Sequence, residues 1–359
     1  MWPNNKLLDL LRIDLPIIQA PMAGYATVEL AAGVSAAGGL GSLGLSMSSP
    51  DEVRSLVQQY RSLTAKPVNA NFFCHEDVAI EAERHRAWHD RLAPYRQAAG
   101  LNSDSLPLPI HRPPFGAAMC AVVEDIKPEV VSFHFGLPEL ALVARVKAAG
   151  CRILCSATTV AEARRLEQLG ADAIIAQGAE AGGHRGMFLT HEIASQPGTM
   201  TLVPQIADAV AVPVIAAGGI GDARGIAAAF ALGADGVQMG TAFLFCPEAT
   251  VPPLHRAALR SGAADQTVLT NVFTGRPARV LINRFVREAG PIGDDVPPFP
   301  QATSHYAPLR QRAEAEGKDD FTPLWAGQTT ALGREIPAAE LTRGLAAAAL
   351  ERLTRLGGR

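Results

Sequence analysis

A chain of 359 residues with 48% apolar and 19% charged residues can bury a large core, which excludes disorder and leaves room for one large domain with a sizeable insertion. The formal net charge of -3, with no long basic run, argues against nucleic acid or an anionic membrane as the main partner. Five scattered cysteines form no CxxC pair, no apolar run approaches the ~20 residues of a membrane span, and Asp9 and Asp14 interrupt the apolar start of the chain, so a soluble cytoplasmic protein without a metal site is expected.

Taken in order, residues 16–22 (PIIQAPM) read as a short buried strand ending in PMAG. A helix follows over 27–37 and stops at Gly38 and Gly39. Residues 40–45 are a second strand. Ser49, Pro50 and Asp51 then combine a cap, an early proline and a first-turn acid, and predict a helix to about Leu63. PVNANFF, 67–73, is a third strand. Residues 76–115 break the rhythm, first charged and helical, then rich in proline, and read as an insertion. Alternation resumes with strands at 130–136, 152–158, 173–177, 213–219 and 236–244, and with helices at 138–149, 160–169, 201–210 and 222–232. A second excursion, 246–332, precedes a last helix at 337–356 with leucines along one face.

Eight short apolar strands, most followed by a helix, predict an α/β fold of the closed (β/α)8 barrel type. An open doubly wound sheet is disfavoured because the first strand-to-helix turn lacks GxGxxG. The predicted barrel comprises 1–75, 116–245 and 333–359. The excursions 76–115 and 246–332 leave from carboxyl ends of strands and are expected to form a second, mostly helical, subdomain over the barrel mouth.

Active sites of such barrels lie at the carboxyl ends of the strands. Those positions read PMAG, NANFF, FHFG, SATT, GAEAGGHRG, GGIGD and QMGT, rich in small residues and amides but without paired carboxylates or a metal-ligand cluster. Such a set suits a cofactor held by backbone. Gly218 with Gly219, and Gly240 with Thr241, occupy the loops after the seventh and eighth strands, where barrels of this kind bind phosphate; each pair also reads as a tight turn. Asn69 and Asn71 share one strand face with Phe73. They suit either the polar edge of a flavin or nucleotide ring or a polar layer inside the barrel, and Gln177 has the same two readings. His134 alternates with Ser132 and Gly136 while Phe133 and Phe135 take the opposite face, so its imidazole is expected at the mouth, placed for proton transfer. The glycine loop 178–186 carries His184, with Glu180 and Arg185 beside it. His75, His85, His89, His111, His191, His255 and His305 read as surface or structural.

QAPMAG with AGGLGSLG, VNANFFCH, VVSFHFGLP, QGAEAGGHRG, PVIAAGGIGD, GVQMGTAFL, TGRPAR and LWAGQ resemble the blocks of the nitronate monooxygenase family, formerly 2-nitropropane dioxygenases, over nearly the whole chain. The resemblance implies a (β/α)8 barrel that binds FMN without a covalent link. It also implies oxidation of alkyl nitronates such as propionate-3-nitronate, or of nitroalkanes, by O2 to a carbonyl compound and nitrite. It puts the catalytic histidine on His134 and a substrate-side histidine on His184. Its FMN contacts fall on Pro21, Met22, Ala23, Asn69 or Asn71, Gln177, Gly182, Gly183, Gly218, Gly219, Gln238, Met239, Gly240 and Thr241. The expected partners are a small nitro compound or nitronate and O2, in a monomer or homodimer. Members resembling this chain carry a tyrosine and lysine cluster in the second excursion, where PPFPQATSHYAPLR has only Tyr306 and no lysine before Lys318. Relatives of the same barrel type supply the alternative, an NAD(P)H-dependent FMN reductase of an enoyl thioester or quinone. A flavin-free aldolase, isomerase or phosphate-ligand binding barrel is the reading from another class.

Overall fold

The structure, a computed structural model, describes residues 1–101, 106–262 and 264–357. Its strands are β1 (Ile17–Gln19), β2 (Gly41–Gly44), β3 (Val68–Phe73), β4 (Val130–His134), β5 (Arg152–Ala157), β6 (Ala173–Gln177), β7 (Gly183–His184), β8 (Val214–Ala217), β9 (Gly236–Met239), β10 (Thr267–Thr270) and β11 (Ala278–Leu281). Eight of them form one parallel sheet in the order β1-β9-β8-β6-β5-β4-β3-β2. Leu40, just before β2, donates its amide to the Ile17 carbonyl at 3.0 Å and accepts from the Gln19 amide at 2.9 Å. The sheet is thereby nearly closed into a barrel.

Local chemistry sets the crossover helices. Thr27 accepts from the Leu30 amide at the head of helix Val28–Ala36, and Ser49 with Glu52 forms a capping box on Pro50–Leu63. Thr159 and Asp222 cap Val160–Gln168 and Ala223–Ala231. Outward residues such as Val68, Ala70, Phe72, Val131 and Phe133 join the helices in the main core. The barrel's lower interior is apolar: Ile18, Val130, Leu154, Ile175 and Ile215 pack with Leu7 and Leu11 of the helix Lys6–Leu11, which plugs the amino end. Truncating Leu7 to alanine there costs about 2–5 kcal/mol.

A second core joins Trp88 and Leu92 to Val272, Phe273, Val280, Phe285, Tyr306 and Phe321. Polar contacts follow the same seam: Arg91 pairs with Asp295 at 2.6 Å, and His85 contacts His305 at 2.9 Å and Gln301 at 2.8 Å.

Beside its helices the second core includes an antiparallel sheet of β10, β11 and β7. Two expectations need correction. The run 236–244 is not one strand: β9 ends at Met239, and Thr241–Leu244 is a short helix, because Gly240 turns the chain and backbone pairing with β1 ends there. Phe135 does not share the outward face of Phe133. Its φ of +70° breaks the alternation, and its ring turns back among His134, His184 and Phe299. Of the histidines left aside, His111 and His191 are exposed, while His75, His85, His89, His255 and His305 are buried. Among the described residues no helix is long and apolar enough to cross a membrane, and no cluster of three or more potential ligands could hold a metal.

Candidate active site

The carboxyl end of β6 delivers the chain into the glycine loop, and Gln177 folds that loop back. Its Nε2 donates to the His184 carbonyl at 3.0 Å and its Oε1 accepts from the Gly186 amide at 2.8 Å. Arg185 braces the loop from beneath, fully buried, donating to the carbonyls of Gly178 (2.6 Å) and Gln177 (2.7 Å). Glu180 is also structural: both its oxygens accept from the Thr199 amide, at 3.0 and 2.8 Å, at the start of helix Thr199–Ala207. The loop's charges therefore serve its own shape, and His184 is the side chain left for chemistry.

His134 and His184 meet at the mouth. His134 Nε2 is 3.0 Å from the His184 carbonyl, which can only accept, so Nε2 carries the proton and Nδ1 accepts from the Ser156 hydroxyl at 3.0 Å. The Thr274 hydroxyl donates to the Arg276 carbonyl at 3.4 Å and therefore accepts from His184 Nε2 at 2.9 Å. Burial pushes both imidazoles down, to about 4 for His134 and about 3 for His184, and Arg276 adds its charge in the same direction. Both rings are neutral near pH 7. Phe73, Phe299 and Trp325 wall the space, with ring centroids 6.3, 5.3 and 5.3 Å from that of His184. Two residues enter that sequence reasoning passed over: His75, which donates to the Arg112 carbonyl at 2.9 Å and packs on Phe299 at 4.9 Å, and Arg276. The signal was available in the position of His75 two residues past β3, and in TGRPAR as a quoted block with no role.

The remaining predicted positions form two groups. Asn69 lies deep, donating to Ser42 Oγ at 2.9 Å, with its Oδ1 buried and unpartnered. Asn71, one layer higher, donates to Ser132 Oγ at 2.9 Å. Gln238 also buries an unpartnered Oε1. Pro21, Met22 and Ala23 are half-buried after β1, Met239 is buried, and Gly240 faces the Met22 sulfur at 4.0 Å from a would-be Cβ. The second group is a cradle of backbone. Gly218 and Gly219 take φ of +104° and +68°, which only glycine adopts readily. Gly182 approaches Gly327 so closely that a Cβ would lie 2.5 Å from the Gly327 nitrogen. The Gly327 amide donates to Thr241 Oγ at 2.9 Å, tying LWAGQ to the end of β9. Among the described residues the amides of Gly182, Gly219, Gly240 and Thr241 donate to no protein acceptor. Gly183 sits beside them with φ +72° and open space at its Cβ position. Unsatisfied amides converging from three loops suit a phosphate dianion.

The family model for nitronate monooxygenase matches residues 4–347. The chain belongs to the nitronate monooxygenase family. It is a flavin-dependent oxidoreductase of that family. It is 45% identical over 349 residues to the nitronate monooxygenase of Pseudomonas aeruginosa, covering 95% of this chain and 98% of that one. Among solved structures, nitroalkane oxidase from Streptomyces ansochromogenes superposes with a TM-score of 0.89 at 40% identity, covering 98% of this chain and 99% of the other. FabK from Thermotoga maritima gives a TM-score of 0.71 at 30% identity, with 98% of each chain covered. Within the nitronate monooxygenase family, the mouth described here is the candidate for nitronate or nitroalkane oxidation.

Proposed function

We propose that this chain is an FMN-dependent (β/α)8 barrel enzyme that oxidises alkyl nitronates, such as propionate-3-nitronate, or nitroalkanes with O2 to a carbonyl compound and nitrite. The observation that carries the reading is the neutral His134, with one basic lone pair, at a mouth that also holds a cradle of unpaired amides. Those residues fit FMN. The amides of Gly182, Gly218, Gly219, Gly240 and Thr241 would hold its phosphate; Pro21, Met22, Ala23, Gly183 and Met239 would line it. The orphaned Oε1 of Gln238, with Asn69 and Asn71, would meet the polar ring edge, while Gln177, whose amide holds the loop, would line the pocket. Bound there, the flavin supplies one-electron oxidation of an electron-rich nitronate.

The protein's part is proton handling and orientation. A neutral nitroalkane must first lose its α-proton. Nδ1 of His134 is the acceptor, and the Ser156 hydroxyl must turn away to free it. His184 is neutral, so the positive field at the mouth comes from the guanidiniums of Arg276 and Arg112, both of which act on His184. Phe73, Phe299 and Trp325 exclude water around the reacting carbon. In this reading residues 76–115 and 246–332 cover the substrate.

The test is the visible spectrum of the purified protein, the mass of the flavin it releases, and nitrite formation from propyl-1-nitronate in air. FMN and nitrite are expected. Stoichiometric FAD would overturn the cofactor assignment, and a flavin-bearing protein that makes no nitrite from alkyl nitronates would overturn the reaction. The backbone likeness to FabK supports a second reading, an NAD(P)H-dependent FMN reductase of an enoyl thioester or quinone. Rapid anaerobic bleaching by reduced pyridine nucleotide would favour it.

A further inference from the structure

The TGRPAR stretch grips the glycine loop at both ends. Arg279 Nε donates to the Ala179 carbonyl at 2.7 Å, where the loop begins. Arg276 Nη2 donates to the Met187 carbonyl, where it ends. Between them the Arg185 amide donates to the Pro277 carbonyl at 2.8 Å, and His184 pairs with Ala278. Arg276 does more than hold a loop. Its guanidinium carbon stands 3.9 Å from the centroid of Phe135, the residue immediately after His134. Phe135 is one of the few non-glycine residues with positive φ, a conformation that persists only when its surroundings enforce it. On the other side, Met187 follows Gly186, whose backbone lies against the imidazole: a Cβ there would be 2.9 Å from His134 Cε1. One guanidinium thus fixes the chain on both sides of His134. It forms no ion pair with a carboxylate among the described residues.

We propose that Arg276 is a positioning residue for His134, clamping Phe135 and the Met187 carbonyl together so that the imidazole keeps its Ser156 and His184 partners. This rests on His134 being the proton acceptor of the proposed reaction. The charged and titratable groups facing His134 are His184 and Arg185 from the loop and Arg276 from TGRPAR. Its neighbours from β3 and β5, Phe73 and Ser156, are uncharged. Removing the Arg276 charge therefore leaves a signature that a purely structural role would not.

The experiment compares Arg276→Met and Arg276→Lys with the wild type. It reads the His134 imidazole titration by NMR and kcat on a neutral nitroalkane. Arg276→Met should raise the His134 midpoint and lower kcat about tenfold to a hundredfold, the scale of a small misplacement of a reacting group. Arg276→Lys, which keeps the charge but stacks less well, should hold the midpoint near the wild-type value and recover part of the rate. A midpoint unmoved in folded Arg276→Met, or an unchanged kcat, would overturn the proposal. Should Arg276→Met not fold, Arg276→Gln carries the same expectation for the midpoint. If the wild type itself makes no nitrite, the nitronate reading fails, and the NMR arm still decides whether Arg276 acts on His134.

Discussion

Glu162 offers a quantitative test of how the site is held. It is fully buried in the first turn of helix Val160–Gln168. Oε2 accepts from the amide and the hydroxyl of Thr158, both at 2.7 Å, and Oε1 accepts from the amides of Phe188 (2.7 Å) and Leu189 (3.2 Å). One carboxylate thus ties the end of β5 to the end of the glycine loop. Replacement by glutamine keeps one acceptor. The favoured orientation leaves the oxygen toward Phe188 and Leu189 and turns the amide toward Thr158, whose hydroxyl can rotate to accept. The Thr158 amide then has no partner, and the other bonds lose their charge assistance. An orphaned buried amide costs about 1–3 kcal/mol, and each of the two remaining charge-assisted bonds exceeds a neutral one by about 1 kcal/mol, so Glu162→Gln should cost about 3–5 kcal/mol. Urea denaturation of flavin-free protein measures this as a lower midpoint at unchanged slope. A loss below about 1 kcal/mol would mean that the carboxylate does not gather these donors. Nitrite release should fall with stability, because the loop end that packs on His134 is the part released.

Other outcomes follow from the same geometry. His134→Asn should slow turnover of a neutral nitroalkane about 10²- to 10⁴-fold and affect the preformed nitronate much less; equal kcat/KM losses on both would remove His134 from the base role. Gly182→Val places side-chain atoms against the Gly327 backbone, 2.5 Å from the first of them, and should yield folded protein with little flavin, read from the ratio of visible to ultraviolet absorbance; wild-type flavin content would count against the cradle. Burial holds His134 and His255 at about 4 and His184 and His305 at about 3, below the ordinary 6.5. The unfolded chain takes up those protons first, so stability should fall as pH drops from about 6.5 to about 4; a Tm that rises on acidification over that window would contradict this.

The strands and crossover helices were legible because each carries its own signal: an apolar run for β6, a polar cap with an early proline for the helix after Ser49, a glycine stop after residue 37. His134 was legible because strand alternation fixes which face a residue takes. Phe135 was not, since one positive φ cancels that alternation and nothing in FHFG announces it. Gly240 ended β9 early for a related reason: QMGTAFL is apolar throughout, and periodicity cannot tell a strand from a strand that turns into a helix. The partners of His184 were hidden by distance. Thr274, Phe299 and Trp325 come from a stretch whose composition suggests loops, and only tertiary packing brings them to the mouth.

The second core is built from two stretches that straddle most of the barrel in the chain, Trp88 and Leu92 on one side and residues 272–321 on the other. On the ribosome, His184 emerges about 140 residues before Trp325, the ring that packs against it. At about 5–20 residues per second the delay is roughly 7–28 s. Once Met239 has emerged, the barrel strands are complete while the glycine loop still lacks TGRPAR and LWAGQ, and Trp88 has no core to enter. If the cradle holds the flavin as proposed, its capture is a late event of biosynthesis, and a chain stalled before residue 327 would carry an open, apolar-rimmed mouth that invites association with other nascent chains.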